Sequence, residues 1–362
     1  MNLQLLKKIR YFRIKLIIII SSSHDLESSI NARVKFFFKE NFFLIHLKYQ
    51  PIVFNFLKFI PVVKLYYGFE HEKPKHSLIN KYLFNIDPCN NPGDAWIYHQ
   101  VLSRYNKSDF SIYKQRILNL KKNSEEKQVS YLFATGSSLE SAIKNKFEYG
   151  YIIVCNTIVK DKELWNHLVP DILVAADALY HFSDEKFALA FRDDLKLRLE
   201  ETSNTLFAFP SAFEAFVTKE FKNYKDRLVS IPAGNHDDAS VNLINDFSLP
   251  IQGNVFNLMM LPIGATLSSN VFLWGFDGRA QNDSDFWKNS DKHFYSIHVA
   301  ELKKNHPAFF EHNIPKGQES GYVEKYMGDI LEENLLNAEN KNIKIVMMHS
   351  SNTTAFQKRF LQ

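Results

Sequence analysis

Tyr131-Leu-Phe-Ala-Thr-Gly-Ser-Ser-Leu139 decides the fold class. Its apolar half reads as a buried strand. Thr135, Gly136, Ser137 and Ser138 then break the run, and residues 139–146 have the pattern of a helix. A strand that passes through a Gly/Ser turn into a helix presents free backbone N–H groups to an anion. Gly136 leaves room for a ligand, and Ser137 and Ser138 can cap the helix or donate to phosphate oxygens. A second stretch, Val271-Phe-Leu-Trp-Gly-Phe-Asp-Gly-Arg279, is another apolar run that ends in a Gly/Asp turn. Two such strand ends, far apart in sequence, can meet at the carboxyl edge of one open sheet, where α/β proteins bind nucleotides. The first loop is neither a Walker A loop, which continues Gly-Lys-Ser/Thr, nor Gly-x-Gly-x-x-Gly.

Working outward, apolar runs predict strands at 129–134, 151–156, 171–175, 205–209, 228–231, 271–274 and 343–349. Helical patterns fall at 139–146, 162–168, 184–201, 255–267 and 321–337. This alternation predicts an α/β fold with a mostly parallel, Rossmann-like nucleotide-binding sheet over residues 126–362. Three successive strand ends carry Gly-Ser-Ser, Asn156 and Asp177. An amide and a carboxylate there suit ribose hydroxyls and base edges; singly, Asn156 reads as a turn residue and Asp177 as a cap.

Residues 1–125 form a different region. Residues 1–68 hold eleven Lys/Arg against three acids, a net charge of about +8, so the remainder of this +4 chain is near −4. The basic part is also aromatic: Phe36, Phe37, Phe38, Phe42, Phe43, Phe54, Phe56, Phe59, Tyr66 and Tyr67. It admits two readings, an interfacial region that meets anionic lipid or a subdomain whose aromatics face a core. No transmembrane span is expected. Residues 16–20 are too few where ~20 are needed, and lysines and prolines interrupt 42–67. Residues 7–15 resemble the start of a signal peptide without the apolar stretch that follows one. A turn-rich break covers 70–94, and helices are expected at 95–105 and 110–120. Cys89 and Cys155 cannot build a disulfide framework or a zinc site alone, so reduced thiols in the cytoplasm, at most peripheral to the inner membrane face, are the expected setting. No nucleic-acid-binding motif accompanies the basic charge, and no nucleic acid partner is expected.

The order Ala-Thr-Gly-Ser-Ser-Leu139, Cys-Asn156, Pro-Asp-Ile-Leu-Val-Ala-Ala-Asp177, Gly253-Asn-Val and Leu-Trp-Gly-Phe-Asp-Gly278 resembles the bacterial sialyltransferases of the Campylobacter type. It is also similar to the Gly-Pro-Ser-Leu proteins, which include pterin pyrophosphokinases. The resemblance covers roughly residues 129–300. It implies that the loop at 135–138, Asn156, Gly253 and Asn254 hold the nucleotide of CMP, that a His after the Gly-x-Asp strand is the general base, that the sugar inverts, and that no metal or other cofactor is required. Ser137 stands where the family has Pro, and Gly278 and Arg279 stand where it has Tyr. Asp277, Gly278 and Arg279 are accordingly counted with the nucleotide site, and Ser137, Ser138 and Arg279 are candidates to steady the leaving phosphate.

Residues 282–298 combine polar turns, aromatics and two histidines, as a lid does. His293 is the first candidate base, His298 the second and His306 the third, because a near-neutral side chain suits removal of a hydroxyl proton. Gly234-Asn-His-Asp237 resembles a metallophosphatase element whose partner motifs are missing, and it reads as a polar turn. The expected function is glycosyl transfer from a nucleotide-activated donor, such as CMP-sialic acid or a related keto-sugar acid, to a cell-surface glycan or glycolipid acceptor in polysaccharide biosynthesis. The alternatives are a Mg²⁺-dependent pyrophosphokinase, with Asp177 and Asp277 as metal ligands, and a non-catalytic envelope-associated protein.

Overall fold

The structure, a computed structural model, describes residues 15–21, 27–57, 60, 62–67, 82–124, 126–236, 240–278, 291–313 and 329–360. It divides into two compact units, Met1–Val101 with His306–Phe309, and Leu102–Asn305 with Phe310–Gln362. The boundary falls at 101/102, not near 125, because the helix at Phe110–Lys122 belongs to the second unit. Both units are α/β, and every strand ladder is parallel.

The first unit contains β1 (Leu16–Ser21), α1 (Glu27–Phe38), β2 (Phe43–Lys48), α2 (Pro51–Leu57), β3 (Val63–Tyr67), β4 (Leu83–Asn85) and the start of α3 (Asp94–Ser103). The sheet order is β2-β1-β3-β4. The isoleucine run too short to span a membrane is thus a central strand. Ile17, Ile18, Ile19 and Ile20 are all buried, as a parallel strand covered on both faces requires. Register places Ile18, Ile45 and Lys64 on one face, with Ile20, Leu47 and Tyr66. Phe54 and Leu57 of α2 cover part of that face. Part of the aromatic run is therefore core: Phe37, Phe38, Phe42 and Phe54 are buried, and Phe37 stacks on Tyr98 with centroids 4.7 Å apart. Arg33 and Asp94 form a buried ion pair at 3.4 Å.

The second unit begins with α4 (Phe110–Lys122), whose first turn is capped by Asp109 through Ser111 N–H. There follow β5 (Val129–Phe133), β6 (Gly150–Cys155), α5 (Lys162–Leu168), β7 (Ile172–Val174), α6 (Lys186–Glu201), β8 (Leu206–Pro210), α7 (Glu214–Glu220), β9 (Leu228–Ile231), α8 (Leu261–Leu267), β10 (Asn270–Trp274), α9 (Val299–Asn305), α10 (Pro307–Asn313, of which residues 307–309 count with the first unit), α11 (Asp329–Asn340), β11 (Lys344–Met347) and α12 (Thr354–Gln357). The seven strands lie in the order β11-β10-β5-β6-β7-β8-β9. β6 is buried along its whole length. The core joins β5, β6, β7, β10 and β11 to α8 and α11.

Two expected helices take other forms. Residues 137–144 wind as a 3-10 helix, and α8 is entered through a π turn at Phe256–Met260. The amphipathic helix expected at 321–337 is described only from Asp329 onward, and residues 321–328 lie outside the described residues. Among the described residues, no helix is long and apolar enough to cross a membrane.

Candidate active site

From β5 the chain steps outward through β6, β7, β8 and β9, then returns to place β10 on the other side of β5. The strand order therefore reverses between β5 and β10. That is the topological switch point at which open α/β sheets form a crevice. The two sequence stretches that decide the fold meet here. Ala134 N–H donates to Trp274 O at 2.8 Å and Gly136 N–H to Gly275 O at 2.9 Å, extending the ladder past the strand ends.

Two glycines make this approach possible. Gly275 has φ +79°, and a Cβ on it would stand 2.1 Å from Ala134 O. Gly136 has an ordinary extended backbone, φ −65° and ψ 164°. What bars a side chain there is the Asp277 carboxylate, 2.0 Å from where a Cβ would be.

Asp277 occupies the place the sequence reading reserved for a phosphate. Its oxygens accept the Ser138 N–H at 3.1 and 3.2 Å and the Ser138 hydroxyl lies 2.9 Å from Oδ2. The N-terminal turn thus already holds an anion, supplied by the protein. Ser138 Oγ is also 2.7 Å from His349 Nε2. Gly275 N–H points at that nitrogen from 2.8 Å, and Nδ1 lies 2.8 Å from Ser350 O. A backbone donor aimed at Nε2 requires a lone pair there, so the neutral ring carries its proton on Nδ1 and donates it to Ser350 O. The one lone pair of Nε2 faces the Gly275 N–H, so the Ser138 hydroxyl donates to Asp277 Oδ2 with the imidazole beside it. The arrangement can take a proton from a bound hydroxyl and share it along three side chains. Trp274 Nε1–H donates to Ser138 O at 3.0 Å and steadies the serine backbone.

His349 was not among the sequence candidates. It ends β11 in Met347-Met-His-Ser-Ser351, the same strand-then-Ser-Ser pattern as β5. That likeness was the available signal.

The other predicted residues scatter along the carboxyl edge. Thr135 is half-buried and Ser137 exposed in the β5 loop. Asn156 ends β6 with φ +51° and a buried Oδ1 that has no hydrogen-bond partner. Asn254 Oδ1 accepts Asn257 N–H at 2.9 Å and so caps the helix that follows exposed Gly253. Asn257, inside the π turn, is fully buried with both amide atoms unpartnered. The turn lies at the carboxyl edge, because Phe256 packs on Phe276 just past β10, with centroids 5.1 Å apart. π turns recur at functional sites. Asp177 Oδ1 accepts the N–H groups of Leu179 and Tyr180 at 2.7 and 2.8 Å, the capping role. Burial holds its carboxyl above the usual range, against those two hydrogen bonds. At about 4.8 Å per strand, the end of β7 stands roughly 14 Å from that of β10, too far for Asp177 and Asp277 to share an ion. Among the described residues, no cluster of three or more His, Cys, Asp or Glu could hold a metal ion. Gly278 has φ +69° and turns the chain toward Thr353, and Arg279 lies outside the described residues.

The histidine candidates do not join the crevice cluster. His293 is fully buried, both ring nitrogens lack hydrogen-bond partners, and Nδ1 is 3.9 Å from Asp161 Oδ2. Burial lowers its pKa, which the Asp161 charge only partly offsets, so it stays neutral and enclosed. The segment around it is tied to the sheet instead. Thr157 Oγ1 donates to His293 O, and Lys160 Nζ donates to Asp291 O and to Phe294 O. Tyr295 donates to Asp194 Oδ2 at 2.5 Å and is buried. His298 is half-buried in a short 3-10 turn. His306 is buried and belongs to the first unit. Of the Gly234-Asn-His turn, His236 Nε2 lies 2.9 Å from Ser248 Oγ, and Asp237 lies outside the described residues.

The sequence matches no known protein family. It matches no curated protein. Among solved structures, a shikimate dehydrogenase in complex with NADP+ aligns with 60% of this chain and 84% of its own, at 14% identity and a TM-score of 0.16. A TM-score of that size carries no argument about fold or function, and the Rossmann-like assignment stands on the strand order and the all-parallel ladders.

Proposed function

We propose that the chain is a glycosyltransferase that draws its sugar from a nucleotide-activated donor bound at the carboxyl edge between β5 and β10. The observation that carries this reading is the convergence of Ser138, Asp277 and His349 at the topological switch point. The donor we favour is a CMP-linked keto-sugar acid, on the resemblance of the strand-end motifs, and the acceptor is a glycan or glycolipid hydroxyl. That hydroxyl must lose a proton as it attacks the anomeric carbon. Asp277 receives it in this scheme, with Ser138 and His349 sharing the charge. The nucleotide phosphate then lies beside the β5 loop and not on the Ser138 N–H, because two anions cannot occupy one donor. Asn156 and Asn257 supply amide groups for the base or ribose, on the strength of their unpartnered buried atoms.

A thermal-shift series with CMP, UDP, GDP and ATP, each with and without Mg²⁺, tests the reading, since a ligand that binds only the folded form raises its stability. The expected result is stabilisation by CMP that does not depend on Mg²⁺. Stabilisation by ATP with Mg²⁺ alone would replace it with a pyrophosphokinase. No response to any nucleotide would leave a non-catalytic protein.

A further inference from the structure

α2 is too short for the sheet it covers. Its seven residues span about 10 Å, whereas the six-residue strands β1 and β2 run about 20 Å. Phe54 and Leu57 turn inward onto Ile18, Ile20 and Tyr66. Part of that face stays exposed among the described residues. Phe43 and Ile45, on the same side of the edge strand as Ile18, are 76% and 44% exposed. On the outer side of α2, Ile52 and Phe56 stand one helical turn apart and are 85% and 68% exposed. Four large exposed apolar side chains thus fall on one strand and the helix that directly follows it, a density that marks an interaction surface.

The charge of the unit selects its occupant. Lys15, Lys35, Lys39 and Lys48 are exposed; strand alternation turns Lys15 and Lys48 to the side opposite Phe43 and Ile45, so the positive charge belongs to the unit as a whole. Between residues 28 and 68 the only acid is Glu40, and Lys7, Lys8, Arg10 and Arg13 stand near the start of the sequence. A second copy of the chain would bring the same positive charge against this one. An anionic lipid surface meets both features, because lysines seek its headgroups while Phe and Ile enter the boundary with the acyl chains. We infer that the first unit docks on anionic membrane through Phe43, Ile45, Ile52 and Phe56, with the lysines of the unit as its electrostatic contact. The inference does not depend on the enzymatic reading.

Co-sedimentation of the full chain with vesicles tests it, using phosphatidylcholine alone and phosphatidylcholine with about one third phosphatidylglycerol. The protein should pellet with the anionic vesicles, and about half-molar salt should release it as the charges are screened. A Phe43→Ser/Phe56→Ser variant and a Lys39→Glu/Lys48→Glu variant should each bind at least tenfold more weakly. Leu336→Ser, at an exposed leucine of the other unit, should bind as the wild type does. All five substituted side chains are exposed, and an unchanged circular dichroism spectrum verifies that the variants fold. Failure to bind anionic vesicles would overturn the inference, as would binding that both variants retain. So would a dimer, seen by light scattering, that the Phe43→Ser/Phe56→Ser variant separates; the face would then serve a second copy.

Discussion

Replacing Gly275 with alanine probes the junction on which the crevice depends. The new Cβ would meet Ala134 O at 2.1 Å and Ala134 C at 2.8 Å. Both are backbone atoms, so no side chain can rotate away. The backbone at φ +79° also disfavours any residue with a Cβ, by about 1 kcal/mol. Relief requires parting the ends of β5 and β10, which breaks the Ala134–Trp274 and Gly136–Gly275 hydrogen bonds. At about 1 kcal/mol each, these bring the expected loss to roughly 3 kcal/mol. Urea unfolding followed by tryptophan fluorescence, with Trp274 at the junction, measures it. The midpoint should fall while the slope is unchanged, which marks lost stability and not a change in the unfolded chain. Gly93→Ala is the control. Its Cβ would meet nothing nearer than 3.4 Å, so it should shift stability by no more than about 0.5 kcal/mol. A loss below about 1 kcal/mol for Gly275→Ala would refute the claim that β5 and β10 are locked at their tips.

Asp277→Asn and His349→Gln should each lower donor hydrolysis by about 10²-fold or more with nucleotide affinity retained, because they act on proton transfer, whereas His293→Gln should leave turnover within about threefold; the reverse order in steady-state rates would return the base to the 291–298 segment. Burial pushes His181 down to about 3, so its folded pKa lies below the unfolded one and stability is complete above about pH 6.5 and lost as pH falls toward the folded value. Between pH 6.5 and 4.5 that loss is roughly 2–3 kcal/mol. Buried Asp177 titrates in the opposite sense, so urea unfolding of wild type and His181→Gln should be compared at both pH values. Equal pH dependence of the two would rule out the His181 contribution. Asn257→Leu removes two unpartnered buried amide atoms and should raise stability by about 1 kcal/mol while weakening nucleotide binding; a thermal melt with and without CMP reads both, and unchanged CMP affinity would take Asn257 out of the site.

The class of the larger sheet was legible because each strand there carries its own signal. β5, β6 and β10 are short apolar runs that stop at Gly, Asn or Gly-Phe-Asp, and parallel strands buried on both faces leave that mark. Their meeting at one crevice followed from the alternation of strands and helices. Three things did not follow. The sheet of the first unit was hidden because β1 is only six residues long and its neighbours mix lysines with aromatics, so periodicity could not separate a core from an interface. Asp277 was read as a ligand contact, but the turn at Gly278 folds its carboxylate back onto Ser138 N–H. Which of two partners a backbone donor takes is settled in three dimensions. His349 lies 211 residues from Ser138. Its one local signal, the Ser-Ser pair after the strand, gains meaning only once the strand order sets β11 beside β10.

The strand order also has a consequence for the order of synthesis. β5 is a central strand, yet one of its two neighbours, β10, begins at Asn270, about 40 residues after β9 ends at Ile231. A nascent chain that has reached β9 can already pair β5 through β9, with the far side of β5 still open. At roughly 5–20 residues per second, that flank stays bare for about two to eight seconds before β10 is even translated. An unpaired, apolar edge is the surface on which β chains associate wrongly. The β5–β10 seam thus closes late, before only that of β10 with β11, and slowing or pausing translation between residues 231 and 270 lengthens the interval during which Val129, Tyr131 and Phe133 present that open edge.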